Sequence, residues 1–181
     1  MVQAKKRRAA NGFTLLETMI ALGVLSVGVL MLAGMLADAL AYMQGLQDDF
    51  IAQQKAEEAA EAIYTAKYTD SLTYAQIANN TSPGGLFLTG PQPLLVPGVD
   101  GLVGTAADAG GPPAYIVYPG PDGKLGTADD IKVPLGNFTR TITITPVPAY
   151  PNSLELVTIT VNYTSGRFNR NYTLNTYVSA F

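Results

Sequence analysis

The chain has 181 residues and a formal net charge of −3, and it contains no cysteine, histidine or tryptophan. Without cysteine there is no disulfide, and without histidine the most versatile general acid–base and the commonest metal ligand are both missing. The length fits one modest domain plus a long helix. An acidic chain is also poorly suited to phosphate backbones, which require clustered Lys and Arg side chains.

The N-terminus places a basic cluster in front of a long apolar run. Residues 5–8 are all basic, and a lone acid, Glu17, stands just before twenty uncharged residues from Thr18 to Ala37. Twenty helical residues span about 30 Å, which matches the hydrocarbon core of a bilayer. Because basic flanks resist translocation, we expect the N-terminus in the cytoplasm and the chain after about Leu46 across the membrane.

This order of features resembles the class III signal of type IV prepilins and pseudopilins. An ordinary signal peptide has an apolar region of about 7–15 residues that ends before its cleavage site. Here the candidate cleavage site, after Gly12, comes before the apolar run, so the apolar helix would stay on the mature protein. An ordinary single-pass membrane anchor is the alternative interpretation.

The resemblance implies how the N-terminus is processed and used. A prepilin peptidase would remove the leader, residues 1–12, and the new amine of Phe13 would be methylated. Glu17 would then be the fifth mature residue, which in that family interacts with the freed amino terminus during assembly. Loss of the leader, which carries four basic and no acidic side chains, changes the formal charge from −3 to −7.

The resemblance also implies a function without catalysis. The protein would be a structural subunit of a type IV pilus-like filament, and the segment 12–35 is most like that of minor pilins of the pilus-modification type. Its precursor would lie in the bacterial inner membrane with its C-terminal domain outside the cytoplasm, before entry into a surface or periplasmic filament. Implied partners are other pilin subunits, the prepilin peptidase and the inner-membrane assembly platform.

Three alternatives stay open at the level of sequence. Within the family, the chain fits a pseudopilin of a type II secretion system. From another class, it fits a filament-tip module for adhesion or DNA uptake, although the acidic balance makes nucleic acid an unfavourable ligand. A membrane-anchored hydrolase is the third, but the chain lacks His and Cys and its clustered Asp residues lie in predicted turns. We therefore predict no enzymatic activity.

Glu17 also has a purely structural interpretation. Thr14 and Glu17 have the spacing of a capping box, in which a Thr side chain and a Glu side chain satisfy each other's backbone N–H groups at the start of a helix. A carboxylate in the first turn also suits the helix dipole. The two roles are compatible, and both predict a helix that begins close to Thr14.

The rest of the pattern predicts an α+β fold. Residues 13–67 contain no proline and are predicted to form one helix, with about 18–41 in the membrane and an amphipathic second half. Phe50 and Ile51 are assigned to its apolar side. Residues 68–181 are expected to form a globular domain that packs on this helix.

Within the predicted globular domain, loop-rich and strand-rich regions follow each other. Residues 79–124 are dominated by Gly, Pro, Asn and Asp, which indicates turns, with one apolar strand at 114–118. A small antiparallel β-meander is expected over 137–180, because Thr, Val and Ile alternate there with period two.

One twelve-residue segment occurs twice. Residues 97–108 recur as residues 119–130, with eight identical positions. The second copy carries three carboxylates, Asp122, Asp129 and Asp130, and Ca²⁺ takes six to eight oxygen ligands, often from flexible loops. We therefore expect calcium as a ligand of the second copy, although its spacing is not that of an EF-hand.

The first copy is expected to bind calcium more weakly. It keeps Asp100 and Asp108 but has Ala107 at the position of the second copy's central carboxylate, and fewer charged ligands lower calcium affinity. The alternative is that both copies are hydrophilic turns in which Asp and Gly play their usual roles.

Overall fold

The computed structural model describes residues 14–166 and 168–181, which form one long helix, six strands and two short 3-10 turns. By compactness the chain divides between Met43 and Gln44 into two units. The elements are helix α1 (Leu15–Tyr68) and strands β1 (Gln92–Pro93), β2 (Tyr115–Tyr118), β3 (Ile131–Pro134), β4 (Phe138–Pro146), β5 (Leu154–Ser165) and β6 (Phe168–Ser179).

Helix α1 ends where its backbone turns left-handed. Asp70 has φ +56°, and the N–H groups of Ser71 and Leu72 both donate to the carbonyl of Ala66, at 2.9 and 3.0 Å. A left-handed residue just past the last turn is a common helix terminator. Lys67 in the last turn favourably faces the negative end of the helix dipole.

The second half of α1 packs on the sheet through small side chains. Ala52, Ala56 and Ala59 are completely buried, and Ile63 is 1% exposed. Alanine is buried in a helix without loss of side-chain entropy. The assignment of Phe50 to this face is wrong, because Phe50 is 67% exposed. At 3.6 residues per turn, Phe50 lies about half a turn away from the alanine stripe.

The main sheet has the order β1-β4-β5-β6 and is antiparallel throughout. Strands β5 and β6 pair without interruption from Leu154–Ser179 to Ser165–Phe168. Apolar residues alternate along β4 and β5 and are buried under α1, whereas the intervening Thr residues point away from it. This arrangement is the predicted α+β fold, a long N-terminal helix packed on a small antiparallel sheet.

The region 79–124 is irregular, yet it supplies part of the core. Phe87, Leu94 and Val103 are at most 2% exposed. Strands β1 and β3 were not predicted, because a two-residue strand and a four-residue strand are too short to show a period. Strands β2 and β3 form a separate two-stranded ribbon.

A buried asparagine completes the edge of the sheet beyond β1. The side chain of Asn79 donates to the carbonyl of Ile142 and accepts from the N–H of Ile144, both at 2.8 Å. An amide side chain offers a donor and an acceptor in the geometry of a peptide group. It therefore satisfies two backbone groups of β4 that no strand reaches.

Hydrogen bonds and a salt bridge also connect α1 to the sheet. Asp49 accepts hydrogen bonds from the Arg170 guanidinium, at 3.1 and 3.2 Å, and from the Tyr163 hydroxyl. Burial, followed by the hydrogen bond to Asp49, raises the pKa of Tyr163 to about 12. Arg140 is 4% exposed and donates to the carbonyl of Lys55, and its burial lowers its pKa to about 10.

The repeated segment folds into the same loop twice. We call residues 97–108 the first loop and residues 119–130 the second loop. Gly101 and its counterpart Gly123 both have φ +68°, and each is followed by an N–H that donates to the preceding Asp side chain. Near the end of each loop, the closing Asp accepts from the N–H of the glycine four residues earlier, at 2.6 and 2.7 Å. The sequence repeat is therefore a structural repeat.

The two loops have opposite surroundings. In the first loop, Val103 is 1% exposed and Asp108 is 6% exposed, and the Asp108 carboxylate accepts from the N–H groups of Gly98, Gly104 and Thr105. In the second loop, which joins β2 to β3, the equivalent of Val103 is Leu125, and it is 64% exposed. One copy is part of the core and the other projects into solvent.

This contrast predicts different effects for the same substitution. Asp108→Ala leaves buried N–H groups without acceptors and should lower the free energy of unfolding by about 2–4 kcal/mol. Asp130→Ala, the matched control in the second loop, should cost less than about 1 kcal/mol, because water can replace the lost acceptor. Urea unfolding of the detergent-solubilised protein would measure both, and equal losses would contradict the assigned role of the first loop.

Candidate functional site

The start of helix α1 has the predicted N-cap. The Thr14 hydroxyl accepts a hydrogen bond from the backbone N–H of Glu17 at 3.3 Å, and the helix begins at Leu15. This bond uses the backbone of Glu17, and the residue as a whole is exposed. The predicted cleavage-site residues, Gly12 and Phe13, lie outside the described residues.

The first half of α1 exposes apolar side chains all around the helix. Between Leu15 and Met43 the large apolar side chains are 52–79% exposed within the chain. Water-soluble monomers rarely show contiguous apolar patches larger than a few hundred Å². By length and composition this helix can cross a membrane. This segment therefore presents an apolar surface that suits lipid or other apolar helices.

The carboxylates predicted to bind calcium in the second loop converge on one hydroxyl. Thr127 Oγ1 lies 2.6 Å from an oxygen of Asp129 and 3.5 Å from an oxygen of each of Asp122 and Asp130. The Thr127 hydrogen bond, with a further bond from the N–H of Asp122, lowers the pKa of Asp129. The carboxylate therefore stays ionised at neutral pH.

These carboxylates are engaged by their own loop. Asp122 accepts from the N–H of Lys124 at 2.8 Å, and Asp130 accepts from the N–H of Gly126 at 2.7 Å. Over residues 14–166 and 168–181, no group of three or more acidic side chains is arranged so that it holds a metal ion. Calcium binding stays a prediction, and it would require these oxygens to turn from the loop N–H groups toward the ion.

The aspartates of the first loop likewise come together around Thr105, the counterpart of Thr127 in the repeat. Asp100 accepts from the Thr105 hydroxyl at 2.7 Å, and Asp108 accepts from the Thr105 N–H at 3.3 Å. Each carboxylate thus has partners in its own loop, and their contacts stabilise the loop fold. The weaker calcium site predicted here likewise stays a prediction.

A polar cleft that no sequence motif predicts lies at one end of the sheet. Its lining includes Asn137, which comes just before β4, Asn162 on β5 and Asn171 on β6. The available signal was the alternation in these strands, which places Thr and Asn on one face and apolar residues on the other. The cleft forms only when the three strands pair in this register.

Comparison with known proteins identifies the N-terminal segment. Residues 7–33 match the family described as the prokaryotic N-terminal methylation motif, a match that includes Gly12, Phe13 and Glu17. Comparison of the chain with curated proteins and with solved structures gave no match. The motif and the exposed apolar helix are compatible with an inner-membrane precursor. The chain therefore carries the class III signal peptide of type IV pilins and pseudopilins, which supports its assignment as a pilin-like or pseudopilin subunit.

Proposed function

We propose that this protein is a structural subunit of a type IV pilus-like filament, of the minor-pilin kind, cleaved after Gly12 and assembled through the first half of α1. The observation that supports this most is that the methylation motif at residues 7–33 overlaps the helix segment Leu15–Met43, whose large apolar side chains are exposed. Lipid covers these side chains in the precursor, and neighbouring helices cover them in the filament. The partners are a prepilin peptidase, an inner-membrane assembly platform and other pilin subunits.

Glu17 is the residue that selects a neighbour in this scheme. A carboxylate is costly inside an apolar bundle unless it is paired. Between Thr14 and Gln54 the sequence contains no basic side chain, so the helix itself offers no nearby cation. The freed amine of Phe13 on an adjacent subunit supplies the missing positive charge. Pairing therefore couples cleavage of the leader to correct packing of the helix.

The first test concerns processing. Gly12→Val should leave the full-length precursor in the membrane, because a branched side chain crowds the peptidase at the residue before the cut. The wild-type protein from the same cells should begin at Phe13 and carry a methylated amine. Mass spectrometry and N-terminal sequencing measure both, and a wild-type mature protein that begins at Met1 would contradict the proposal.

The second test concerns assembly. Glu17→Ala should be cleaved and inserted normally, yet it should be depleted from sheared filaments, because the neighbouring amine loses its partner. Asp38→Ala is the matched control, since it removes the other acid of the same helix segment, and it should assemble at the wild-type level. Quantitative immunoblots of membrane and filament fractions compare the variants. If Glu17→Ala assembles like the wild type, Glu17 acts only at the helix start.

We also propose that the second loop binds calcium. Support comes from the carboxylates of Asp122, Asp129 and Asp130, each of which places an oxygen within 3.5 Å of the Thr127 hydroxyl on an exposed loop. The lowered pKa of Asp129 is further support. The bound ion would replace the Thr127 hydroxyl as the centre on which the three carboxylates converge. The binding would order the second loop and the β2–β3 ribbon from which it projects.

Calcium binding is tested by thermal melting. A bound ion adds about 2.7 kcal/mol when free calcium is about 100 times its dissociation constant. The detergent-solubilised protein should therefore melt several degrees higher in millimolar calcium than in chelator. Asp129→Ala should abolish this difference, and Ala107 shows that the loop fold accepts alanine at that position. Asp100→Ala is the control and should keep the difference, whereas a wild-type melt that is indifferent to calcium would exclude the site.

A further inference from the structure

The outer face of the main sheet is built from hydroxyl and amide side chains. The cross-strand rows Thr141–Thr160–Thr173 and Thr143–Thr158–Asn175 run over β4, β5 and β6 on the side away from α1. Their side chains are exposed or half-buried. Neighbouring members of the rows are hydrogen-bonded, with 2.8 Å between Thr158 and Asn175 and 3.2 Å between Thr160 and Thr173.

This face carries no charged side chain on the strands. The charged residues of β4, β5 and β6 are Arg140, Glu155 and Arg170, and all three occupy positions on the side of α1. Strand propensity explains the threonines. It does not explain the complete segregation of charge, since protein surfaces ordinarily mix charged residues of both signs. The face therefore suits a ligand that is itself uncharged.

A cleft of about 390 Å³ lies at one end of this face, and Tyr163 and Arg170 line it together with the Asn and Thr residues. The Arg170 guanidinium is paired with the Asp49 carboxylate at 3.1 Å, so its charge is offset within the chain. Its size is at the small end of the range of about 300–1,000 Å³ for ligand clefts. Asn137 donates to the Thr164 carbonyl at 3.1 Å, and the Thr164 hydroxyl donates to Asn169 at 3.0 Å, which fixes part of the wall. Asn162 and Asn171 stand directly opposite each other on β5 and β6. Their amides form no side-chain hydrogen bond within the described part of the chain.

We propose that this cleft and the adjoining outer face bind an uncharged polysaccharide chain. Each Asn amide offers two donors and an acceptor, which complement a pair of neighbouring sugar hydroxyls. The chain has a formal net charge of −3, so an anionic polymer is repelled by the protein as a whole. The inference concerns only the unit Gln44–Phe181 and stands whether or not the protein enters a filament.

An aromatic ring at the other end of the face fits the same ligand. Tyr177 is 57% exposed and lies six residues along β6 from Asn171, a distance of about 20 Å in an extended strand. Tyrosine combines a flat apolar ring with a polar hydroxyl, which suits the apolar face of a sugar ring. A polysaccharide chain that enters the cleft and follows β6 meets the hydroxyl rows first and this ring last.

Cosedimentation with insoluble polymers tests the proposal. The detergent-solubilised full-length protein is mixed with cellulose, chitin or starch, and with heparin–agarose as an anionic comparison. Retention is expected on at least one neutral polymer and not on heparin. The double substitution Asn162→Ala and Asn171→Ala should reduce that retention about tenfold, since the sugar hydroxyls lose several hydrogen-bond partners. Tyr177→Ala, outside the cleft, should weaken retention by a smaller factor.

The matched control is Asn152→Ala, the same substitution in the exposed turn between β4 and β5, which should bind like the wild type. Melting temperatures establish that each variant is folded. No retention of the wild type on any neutral polymer would overturn the proposal, and so would stronger retention on heparin. An equal loss in Asn152→Ala would also overturn it, because the cleft would then have no special role.

Discussion

The alanine face of α1 against the inner face of the sheet is the contact on which the soluble unit depends. Ala52, Ala56 and Ala59 are fully buried there, and Val157, Ile159 and Val161 lie opposite with no exposed surface. Each small side chain contributes little apolar area, so the stability comes from the dense packing of many such residues in one core. The hydrogen bonds from Tyr163 and Arg170 to Asp49 then fix the helix at one end of this contact.

The two halves of α1 differ in how their apolar side chains are covered. From Gln44 onward its buried stripe is satisfied by the chain's own sheet, whereas between Leu15 and Met43 its apolar side chains have no cover within the chain. An apolar surface of that extent is stable only in lipid or against other helices. The methylation motif, residues 7–33, overlaps the start of this exposed segment.

The twin loops show how context changes the use of one sequence pattern. Their glycines and aspartates impose the same turn and the same hydrogen bonds, because these are local interactions. The positions that differ decide the environment: Val103 enters the core, whereas its counterpart Leu125 stays in solvent. A buried carboxylate surrounded by N–H groups is a structural element, and an exposed carboxylate keeps its capacity for ligands.

The sequence alone determined the features that rest on local pattern: the signal at residues 7–33, the helix with its Thr14 cap, the alternating strands and the repeated loop. Each follows from spacing along the chain, which a periodicity or a motif records directly. Tertiary structure decided the rest, including the exposure of Phe50, the burial of Asp108 and the cleft between Asn162 and Asn171. These depend on which distant segments meet, because packing against a partner, and not the residue's own neighbours, sets burial and brings separate strands into one register.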